Sequence, residues 1–379
     1  MNRTTGTLTV NVAAVVANWQ TVAAHARNSI TSAVIKADAY GLGAAHIGPA
    51  LYRAGCRHFF FATLPEAISA GATLGADSHC YLLGGAPAGA EAELVRHKLQ
   101  PVLSSLAAIE RWLQWRASAG LSAEAAPAAV KFDTGMTRFG LAPEQLAALL
   151  DDGARWAALA PTLLMSHLAV ADDSRNPQNA RQRDGFFALA GRAKQMQPSL
   201  LLSLANSCGI YLGRDYHADL VRPGAALYGF NPSPQGVAPV TTVAHLSLPV
   251  LAVRALNRPA QVGYGAEHRA APGQVLAVAA GGYADGLHRI LGTYGYGLCR
   301  GVPVPVVGRV SMDSTVFDVS AALPHGCPLN DAEPLSIEVM NSDTLTLDAL
   351  SQRNYALGYE VLTSLRSGRY HRVYCPEAL

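Results

Sequence analysis

The sequence predicts an α/β fold in which an N-terminal (β/α)8, TIM-like barrel is followed by a C-terminal, mostly β domain. Three observations lead to this prediction. The 379 residues are too many for one ordinary hydrophobic core, so two domains are expected. Up to about Gly229, short apolar runs alternate with alanine-rich, helix-favouring stretches in about eight successive units. Beyond Gly229 the chain becomes rich in Val, Gly and Pro and shows period-two stretches.

The apolar runs predict the barrel strands. They are expected at residues 33–36, 58–63, 80–83, 100–103, 129–133, 162–167, 200–205 and 219–222. Helices are expected between them, for example at 106–119, 143–159 and 179–195, and Pro65 and Pro143 suit the first turn of a helix. The rival architecture is a doubly wound open sheet, which usually carries a glycine-rich nucleotide turn after its first strand. The pairs Gly263-x-Gly265 and Gly295-x-Gly297 lack the third glycine in register, so the barrel is favoured.

The segment Asn231-Pro232-Ser233-Pro234-Gln235-Gly236 predicts a linker. It divides the chain into a barrel of residues 1–230 and a β domain of residues 231–379, with strands expected within 243–253, 274–280 and 302–319. The apolar run 10–17, which Asn11 interrupts, predicts an amphipathic helix rather than a signal peptide. No run approaches the ~18 apolar residues of a membrane span. We therefore expect a cytoplasmic protein.

The composition excludes several classes of function. Half of the residues are apolar and 15% are charged, which is typical of a compact globular protein. The net charge is +2 and no basic cluster occurs, so we expect neither nucleic acid nor a membrane surface as a partner. The six cysteines form no CxxC pair and the twelve histidines form no HExxH pattern, so we expect reduced thiols and no metal site.

Lys36 is the first candidate for chemistry. It ends the apolar run Ala33-Val34-Ile35, and Tyr40 and two glycines follow closely. A buried strand that delivers an amine to its carboxyl end has this pattern. Burial disfavours the charged form of an amine, so such a lysine can lose its proton near neutral pH and condense with an aldehyde. A lysine that only reaches into solvent gives the same local pattern, so the assignment depends on the rest of the chain.

Polar residues also follow the later barrel strands. They are Lys131 with residues 133–138, Ser166-His167, Asn206-Ser207 and Arg222-Pro223-Gly224. Barrel active sites lie at this carboxyl face, where the loops after strands 7 and 8 frequently bind phosphate. Ser207 and the amides of Gly224 and Ala225 are suitably placed, because free amides attract anions. Together with a lysine that condenses with an aldehyde, a phosphate site predicts pyridoxal phosphate (PLP) as the cofactor.

Nine segments carry a resemblance to a known family. They are VIKADAYGLG, KFDTGMTRFG, MSHLAVAD, LANSCGIYLG, DLVRPGAALYG, VGYGAEHRA, GGYADG, VGRVSMDSTVFDVS and GYEVLTSLRSGRYHRVY. In this order, and over nearly the whole length, the chain resembles the PLP-dependent, barrel-containing alanine racemase family. The resemblance implies an isomerase that racemises L- and D-alanine, with a small amino acid as substrate and a homodimer as the working unit.

The resemblance also implies roles for individual residues. Lys36 would hold the cofactor covalently, Arg222 would face its pyridine nitrogen, and Arg138 would contact its phenolic oxygen and the substrate carboxylate. The other implied positions are Tyr40, Ser207, Gly224, Ala225 and Tyr359 for the phosphate, His167 and Asn206 within the cofactor-binding set, Tyr264 and Met312 from the second domain of a partner subunit, Tyr283 and Asp313 at the entrance, and Lys131 as a candidate for N-carboxylation.

The chemistry of these residues agrees with the implied roles. Arg222 is a permanent cation, so it disfavours protonation of a pyridine nitrogen and limits side reactions such as transamination. Racemisation needs an acid/base group on each face of the α-carbon, and Lys36 and Tyr264 can serve one face each. A phenol is a poor base at neutral pH unless positive charge lies nearby, which a His167–Arg222 pair would supply.

Lys131 and Arg138 would repel each other as two cations. A carbamate on Lys131 would turn this repulsion into a charge-assisted pair.

Two positions depart from the commonest family pattern, and substrate breadth therefore stays open. Ser311 stands where cysteine is frequent and His288 where proline is frequent, and both are expected near the entrance. The alternatives are a broad-specificity or serine racemase, a barrel PLP amino-acid decarboxylase, and a PLP-carrying homeostasis protein. The decarboxylase would carry a glycine triplet and a Cys-Asp segment, and the homeostasis protein would lack the β domain. The sequence does not distinguish D-alanine biosynthesis from alanine catabolism.

Overall fold

The computed structural model describes residues 5–233, 236, 240–289, 295–323, 335–341, 344–346, 348–350, 358–365 and 368–376. Within these ranges the chain builds two main sheets, one of parallel strands and one that is mostly antiparallel. The helices of the described ranges are too short or too polar to cross a membrane.

The parallel strands form the predicted (β/α)8 barrel. Seven strands pair side by side in chain order, and Leu220–Val221 pairs with Ile30–Thr31. The amides of Asp219 and Arg222 donate to the carbonyls of Leu202 and Ala205, so this last strand also lies beside the seventh and closes the ring. The strands are Ile30–Thr31, Ala33–Val34, His58–Phe61, His79–Leu82, Leu99–Leu103, Ala129–Lys131, Leu163–Met165, Leu201–Ser203 and Leu220–Val221. The predicted fold class is confirmed.

The barrel strands are apolar on both faces because one face fills the barrel and the other packs against helices. Successive residues on one strand illustrate this: Phe60 belongs to the interior cluster, whereas Phe59 and Phe61 belong to the outer core. The interior cluster consists of Val34, Phe60, Tyr81, Val102, Ala129, Leu163, Met165 and Leu220. A filled interior leaves the strand ends as the place for polar function.

The helices lie close to their predicted positions. The segments predicted at 106–119 and 179–195 are helices Leu106–Ser118 and Gln178–Met196. The segment predicted at 143–159 is divided into Pro143–Asp151 and Gly153–Leu159, because Asp152 leaves the helical conformation and its carboxylate caps the second helix at the Arg155 amide. The other helices of this part are Val12–His25, Ala44–Arg53, Leu64–Gly71, Glu91–Arg96 and Ser207–Tyr211.

The N-terminal strand Thr7–Asn11 lies in the second sheet, although residues 1–230 were assigned to the barrel. It pairs with Ala244–Ala255 and with His371–Cys375, both far along the chain. The helix predicted over residues 10–17 therefore begins at Val12, where the Asn11 side chain accepts the Ala14 amide. The division at residue 230 stays a prediction.

The second domain is built around the long strand Ala244–Ala255. This strand pairs with Thr7–Asn11, Val275–Ala280 and Ser336–Met340. The remaining elements are Ala260–Val262, His268–Ala270, Tyr296–Cys299, Val302–Pro305, Ser314–Asp318, His371–Cys375 and the helix Gly358–Ser364. The mostly β character is confirmed. Residues 231–233 of the predicted linker carry no helix or strand, and its Pro234 and Gln235 lie outside the described residues.

Candidate active site

Lys36 opens a left-handed turn directly after the first barrel strand. The strand predicted at 33–36 ends at Val34, although the Ile35 amide still donates to the Phe60 carbonyl. The four residues after Lys36 have φ values of 54°, 58°, 53° and 56°. None of them is glycine, and the left-handed conformation costs such residues roughly 1–2 kcal/mol each. Strain of this kind persists where the surrounding structure holds it, often at a functional site.

The Lys36 amine is half-buried at the carboxyl end of the barrel. Burial lowers the pKa of Lys36 from its ordinary value and the Arg138 guanidinium lowers it further, whereas the Glu66 carboxylate acts in the opposite direction. A larger share of the amine is therefore uncharged at neutral pH than for a solvent-exposed lysine. An uncharged amine can act as a nucleophile or a base.

Hydroxyl and amide donors form a small cradle beside this turn. The Ser207 hydroxyl oxygen accepts the amides of Gly224 at 2.9 Å and Ala226 at 3.2 Å. A Cβ atom at Gly224 would lie 2.6 Å from the Tyr40 hydroxyl oxygen, so the cradle exists because residue 224 has no side chain. Ala225 begins the short 3-10 helix Ala225–Tyr228 that continues from this glycine. The arrangement suits a small oxyanion.

Two tyrosines close the cradle. The Tyr40 ring stacks on Tyr228 with ring centroids 4.5 Å apart, and Tyr359 approaches Tyr40 edge-on at 6.3 Å. Burial raises the pKa of both Tyr40 and Tyr359, so their phenols stay protonated at neutral pH and can donate hydrogen bonds.

Arg222 follows the last barrel strand and is buried. Its guanidinium donates to the carbonyl oxygens of Ser166 at 2.5 Å and Leu204 at 3.2 Å, and to the Ser203 hydroxyl. Burial lowers the pKa of Arg222 to about 9, so the group stays charged at neutral pH. Arg222 forms a backbone bridge with Asn206, whose side chain caps the helix Ser207–Tyr211.

His167 contacts Arg222 through Nδ1, which lies 3.4 Å from the guanidinium Nη2. Burial and then the surrounding cations, Arg222 first, hold the pKa of His167 well below its ordinary value. The imidazole is therefore neutral and Nδ1 accepts the hydrogen bond. The positive charge expected of the His167–Arg222 pair accordingly lies on Arg222.

Lys131 is 8% exposed and pairs with Met165 at the end of the neighbouring strand, which Ser166 and His167 follow. Burial lowers the pKa of Lys131 to about 8, with Arg222 and Arg138 acting in the same direction. The loop after this strand is folded by the Asp133 carboxylate, which accepts three successive backbone amides over residues 135–137. That loop leads to the exposed Arg138.

The second-domain candidates lie on the surface. Tyr264 is 71% exposed, Met312 is 52% exposed and Tyr283 is 44% exposed. Among the described residues, no hydrogen bond, ring contact or charge interaction joins Tyr264 to Lys36. A single chain thus brings together Lys36, Lys131, Arg138, His167 and Arg222, but not Tyr264.

The entrance candidates lie on two segments that bond to each other. The Tyr283 amide donates to the Ser311 carbonyl at 3.0 Å, so Ser311 lies beside Tyr283 as expected. Arg369 joins the same segments through side chains, since it donates to the buried Asp285 at 2.8 and 2.9 Å and to Asp313 at 2.6 Å.

His288 contacts the helix Gly358–Ser364. Its Nε2 lies 3.0 Å from the Ser364 hydroxyl, and the residue lines an apolar cavity of about 30 Å³ together with second-domain residues such as Leu246 and Phe317.

Sequence analysis missed two charged residues, Arg369 and Glu66. Arg369 lies within the last of the quoted segments, but nothing local marks its two carboxylate partners. The spacing Thr63-x-x-Glu66 before an apolar helix is a capping-box signal that was available in the sequence. It predicts a cap, not a contact with the Lys36 turn.

Comparisons with known proteins find matches to both the barrel and the second domain. Residues 10–232 match the family model described as "Alanine racemase, N-terminal domain", and residues 243–374 match "Alanine racemase, C-terminal domain". An alanine racemase of Rhodospirillum rubrum is 44% identical over 98% of this chain and 96% of its own length. A catabolic alanine racemase of Agrobacterium fabrum is 39% identical over 97% of this chain and 92% of its own length. The crystal structure of alanine racemase from Bartonella henselae with covalently bound pyridoxal phosphate has a TM-score of 0.88 at 35% identity, covering 98% of this chain and 99% of that chain.

Proposed function

The chain belongs to the alanine racemase family and catalyses the PLP-dependent interconversion of L- and D-alanine, and we propose that Lys36 and Tyr264 are the two groups that move the α-proton. One observation carries the proposal. The Lys36 amine, whose pKa is lowered, lies beside a cradle suited to a phosphate group at the carboxyl face of the barrel. A barrel decarboxylase or a serine racemase is not favoured by these relatives.

The residues of the cradle fit the cofactor. PLP, when bound, supplies an electron sink that makes the α-proton of an amino acid removable. We assign its phosphate to Tyr40, Ser207, Tyr359 and the amides of Gly224 and Ala225. The Ser207 hydroxyl is bonded to the Gly224 amide, and residue 224 has no side chain to block the Tyr40 hydroxyl. We also assign Asn206 and His167 to the cofactor site. The Asn206 side chain caps the helix that begins at Ser207, and His167 accepts a hydrogen bond from Arg222.

We assign Arg222 to the pyridine nitrogen. Its carbonyl and hydroxyl partners fix the guanidinium in place, and a guanidinium donates hydrogen bonds without giving up its proton. The ring nitrogen would therefore stay unprotonated, which favours return of the α-proton over transamination. Arg138, at the exposed edge, would bind the substrate carboxylate.

Two acid/base groups are required because the α-proton leaves from one face and returns to the other. Lys36 would remove the proton from D-alanine and Tyr264 the proton from L-alanine, an assignment of sides that the family resemblance supplies. Arg222 would stabilise the phenolate through the neutral His167 that accepts its hydrogen bond.

We propose a homodimer as the working unit, and the exposed position of Tyr264 supports this proposal. The Tyr264 phenol and the Met312 side chain are both exposed on one chain, and large exposed apolar groups are typical of a surface that a partner covers. We propose that a second copy of the chain covers this surface, so that each site receives Lys36 from one copy and Tyr264 and Met312 from the other. Tyr283 and Asp313 would line the route by which the amino acid enters.

We propose that Lys131 is N-carboxylated. Its lowered pKa leaves a fraction of uncharged amine, which can add to carbon dioxide with release of one proton. The resulting carbamate would pair with Arg138, replacing a repulsion between two cations by a charge-assisted pair. Carbon-13 NMR with labelled carbon dioxide tests this: a carbamate carbonyl signal should appear and should be lost in Lys131→Ala.

We place the activity in the cytoplasm, where it would form D-alanine from L-alanine. Support comes from Cys56, Cys80, Cys208, Cys299 and Cys375, the cysteines within the described ranges, which are free thiols. A deletion strain that grows without added D-alanine and keeps its D-alanine pool would contradict the biosynthetic direction.

Solvent-deuterium exchange tests the two-base assignment. Removal of a general base typically costs about 10²–10⁴-fold in rate, so Tyr264→Ala should lose racemisation in both directions, as equilibrium requires. Exchange of the α-proton of D-alanine should survive better than exchange from L-alanine, because Lys36 remains. An equal loss of exchange from both enantiomers would contradict the assignment.

A further inference from the structure

Glu66 joins the helix after the second barrel strand to the turn that carries Lys36. It is the third residue of helix Leu64–Gly71, and its Oε2 accepts the amides of Ala62 at 3.2 Å and Thr63 at 3.3 Å, as a capping glutamate does. Its other oxygen, Oε1, accepts the Asp38 amide at 3.3 Å. Capping requires one carboxylate oxygen, so the second oxygen serves a different contact.

The Asp38 contact holds the strained part of the turn. Asp38 has a φ of 58° and lies among four consecutive left-handed residues. Its amide donates to Glu66, while its own carboxylate accepts the Ala44 amide at 2.8 Å. The turn is thus fixed at Asp38 from two neighbouring helices, and this fixes the direction in which Lys36 leaves the strand.

The charge of Glu66 matters because the groups around Lys36 are otherwise cationic or neutral. Before any N-carboxylation of Lys131, Arg138 and Lys131 face the amine as cations, and His167 and the protonated Tyr40 are neutral. Among the described residues, Glu66 is the carboxylate whose charge acts on the Lys36 amine.

We propose that Glu66 is a positioning residue for Lys36, which holds the left-handed turn through Asp38 and offsets the positive charge around the amine. The inference rests on the proposed catalytic role of Lys36. Burial and Arg138 lower the pKa of Lys36 and Glu66 opposes them, so removal of the carboxylate lowers this pKa further. A weaker base removes the proton of D-alanine more slowly.

The variant Glu66→Gln tests the proposal, because it keeps the shape and a capping oxygen but removes the charge. In the full-length, cofactor-free chain, the pH dependence of Lys36 labelling by an amine reagent, followed by mass spectrometry, reports the titration of the amine directly. We expect the labelling midpoint to move to lower pH and the labelling rate at pH 7 to rise about threefold. In the holoenzyme, where the substrate frees the Lys36 amine from the cofactor, the acid limb of kcat for D-alanine should move to lower pH and its maximum should fall.

Gln145→Ala is the matched control. Gln145 is also a third helical residue whose side chain caps its helix, through a 2.9 Å bond from the Ala142 amide. This variant loses a cap of the same geometry and should leave the Lys36 midpoint unchanged.

An unchanged Lys36 midpoint in folded Glu66→Gln overturns the proposal and reduces Glu66 to a cap. If Glu66→Gln does not fold, Glu66→Asp replaces it, because this variant keeps the charge but moves the carboxylate away from the Asp38 amide. We then expect a smaller shift of the Lys36 labelling midpoint in the same direction. An unchanged midpoint in Glu66→Asp also overturns the proposal. Racemase activity in Lys36→Ala would contradict the proposed function instead, and labelling does not depend on that activity.

Discussion

Replacement of Gly224 by alanine tests the cradle assigned to the cofactor phosphate. The new Cβ would lie 2.6 Å from the Tyr40 hydroxyl oxygen and 3.3 Å from both Tyr40 Cζ and Val34 Cβ. An unstrained contact requires roughly 3.5 Å, so the hydroxyl has to move by about 1 Å. Tyr40 cannot move freely, because its ring stacks on Tyr228 and its backbone belongs to the left-handed turn.

The size of the effect follows from this clash. Inserting one methyl group into a packed site costs about 1–3 kcal/mol. If the methyl group is accommodated only at the expense of the phosphate contacts, PLP should bind roughly 5- to 150-fold more weakly. Titration of the full-length, cofactor-free protein with PLP, followed by absorbance, measures this dissociation constant.

Gly185→Ala provides the control for Gly224→Ala. Gly185 lies inside helix Gln178–Met196, and a Cβ there meets no atom within 4 Å. This substitution should leave PLP affinity unchanged and stabilise the helix by up to about 1 kcal/mol. Equal PLP affinity in Gly224→Ala and Gly185→Ala would refute the assignment of the phosphate to this cradle.

Two further predictions concern Lys36 and His58. Lys36→Ala should abolish racemisation in both directions and prevent borohydride fixation of PLP to the chain, because no other amine is assigned to the cofactor; PLP attached after borohydride would contradict this. Burial, with His79 adding to it, lowers the pKa of the buried His58 from 6.5 to about 4. The unfolded chain therefore binds a proton below pH 6.5 that the folded chain does not bind until about pH 4, so folding stability falls as the pH drops through this window. Between pH 7 and pH 5 the His58 contribution amounts to about 2 kcal/mol, and urea unfolding of His58→Gln at the two pH values should show a pH dependence smaller by that amount. An unchanged dependence would mean that His58 titrates normally.

The barrel was predictable because its signals are local. The strands are short apolar runs followed by polar residues, and several helices have their own start signal, such as Pro143. Thr7–Asn11 had no such signal for its sheet, since its partners lie near Ser247 and His371. Alternating apolar residues there are compatible with a helix or a strand, and only the distant pairing decides between them.

The site was predictable in its residue types but not in its geometry. The resemblance identified Lys36, yet neither Ala37 nor Ala39 carries a preference for a left-handed backbone. Likewise, the sequence placed His167 beside Arg222 but did not indicate that burial keeps the imidazole neutral. These properties arise from tertiary packing, which single-sequence patterns do not encode.

The central claim is that each active site combines Lys36 of one chain with Tyr264 of another. Mixing inactive Lys36→Ala with inactive Tyr264→Phe, under conditions that exchange subunits, tests it most directly. Random exchange makes half of the molecules heterodimers with one intact site each, so about a quarter of the wild-type activity should return. Each variant treated alone should stay inactive. Proven heterodimers without any recovered activity would contradict the claim and would mean that each site is built within one chain.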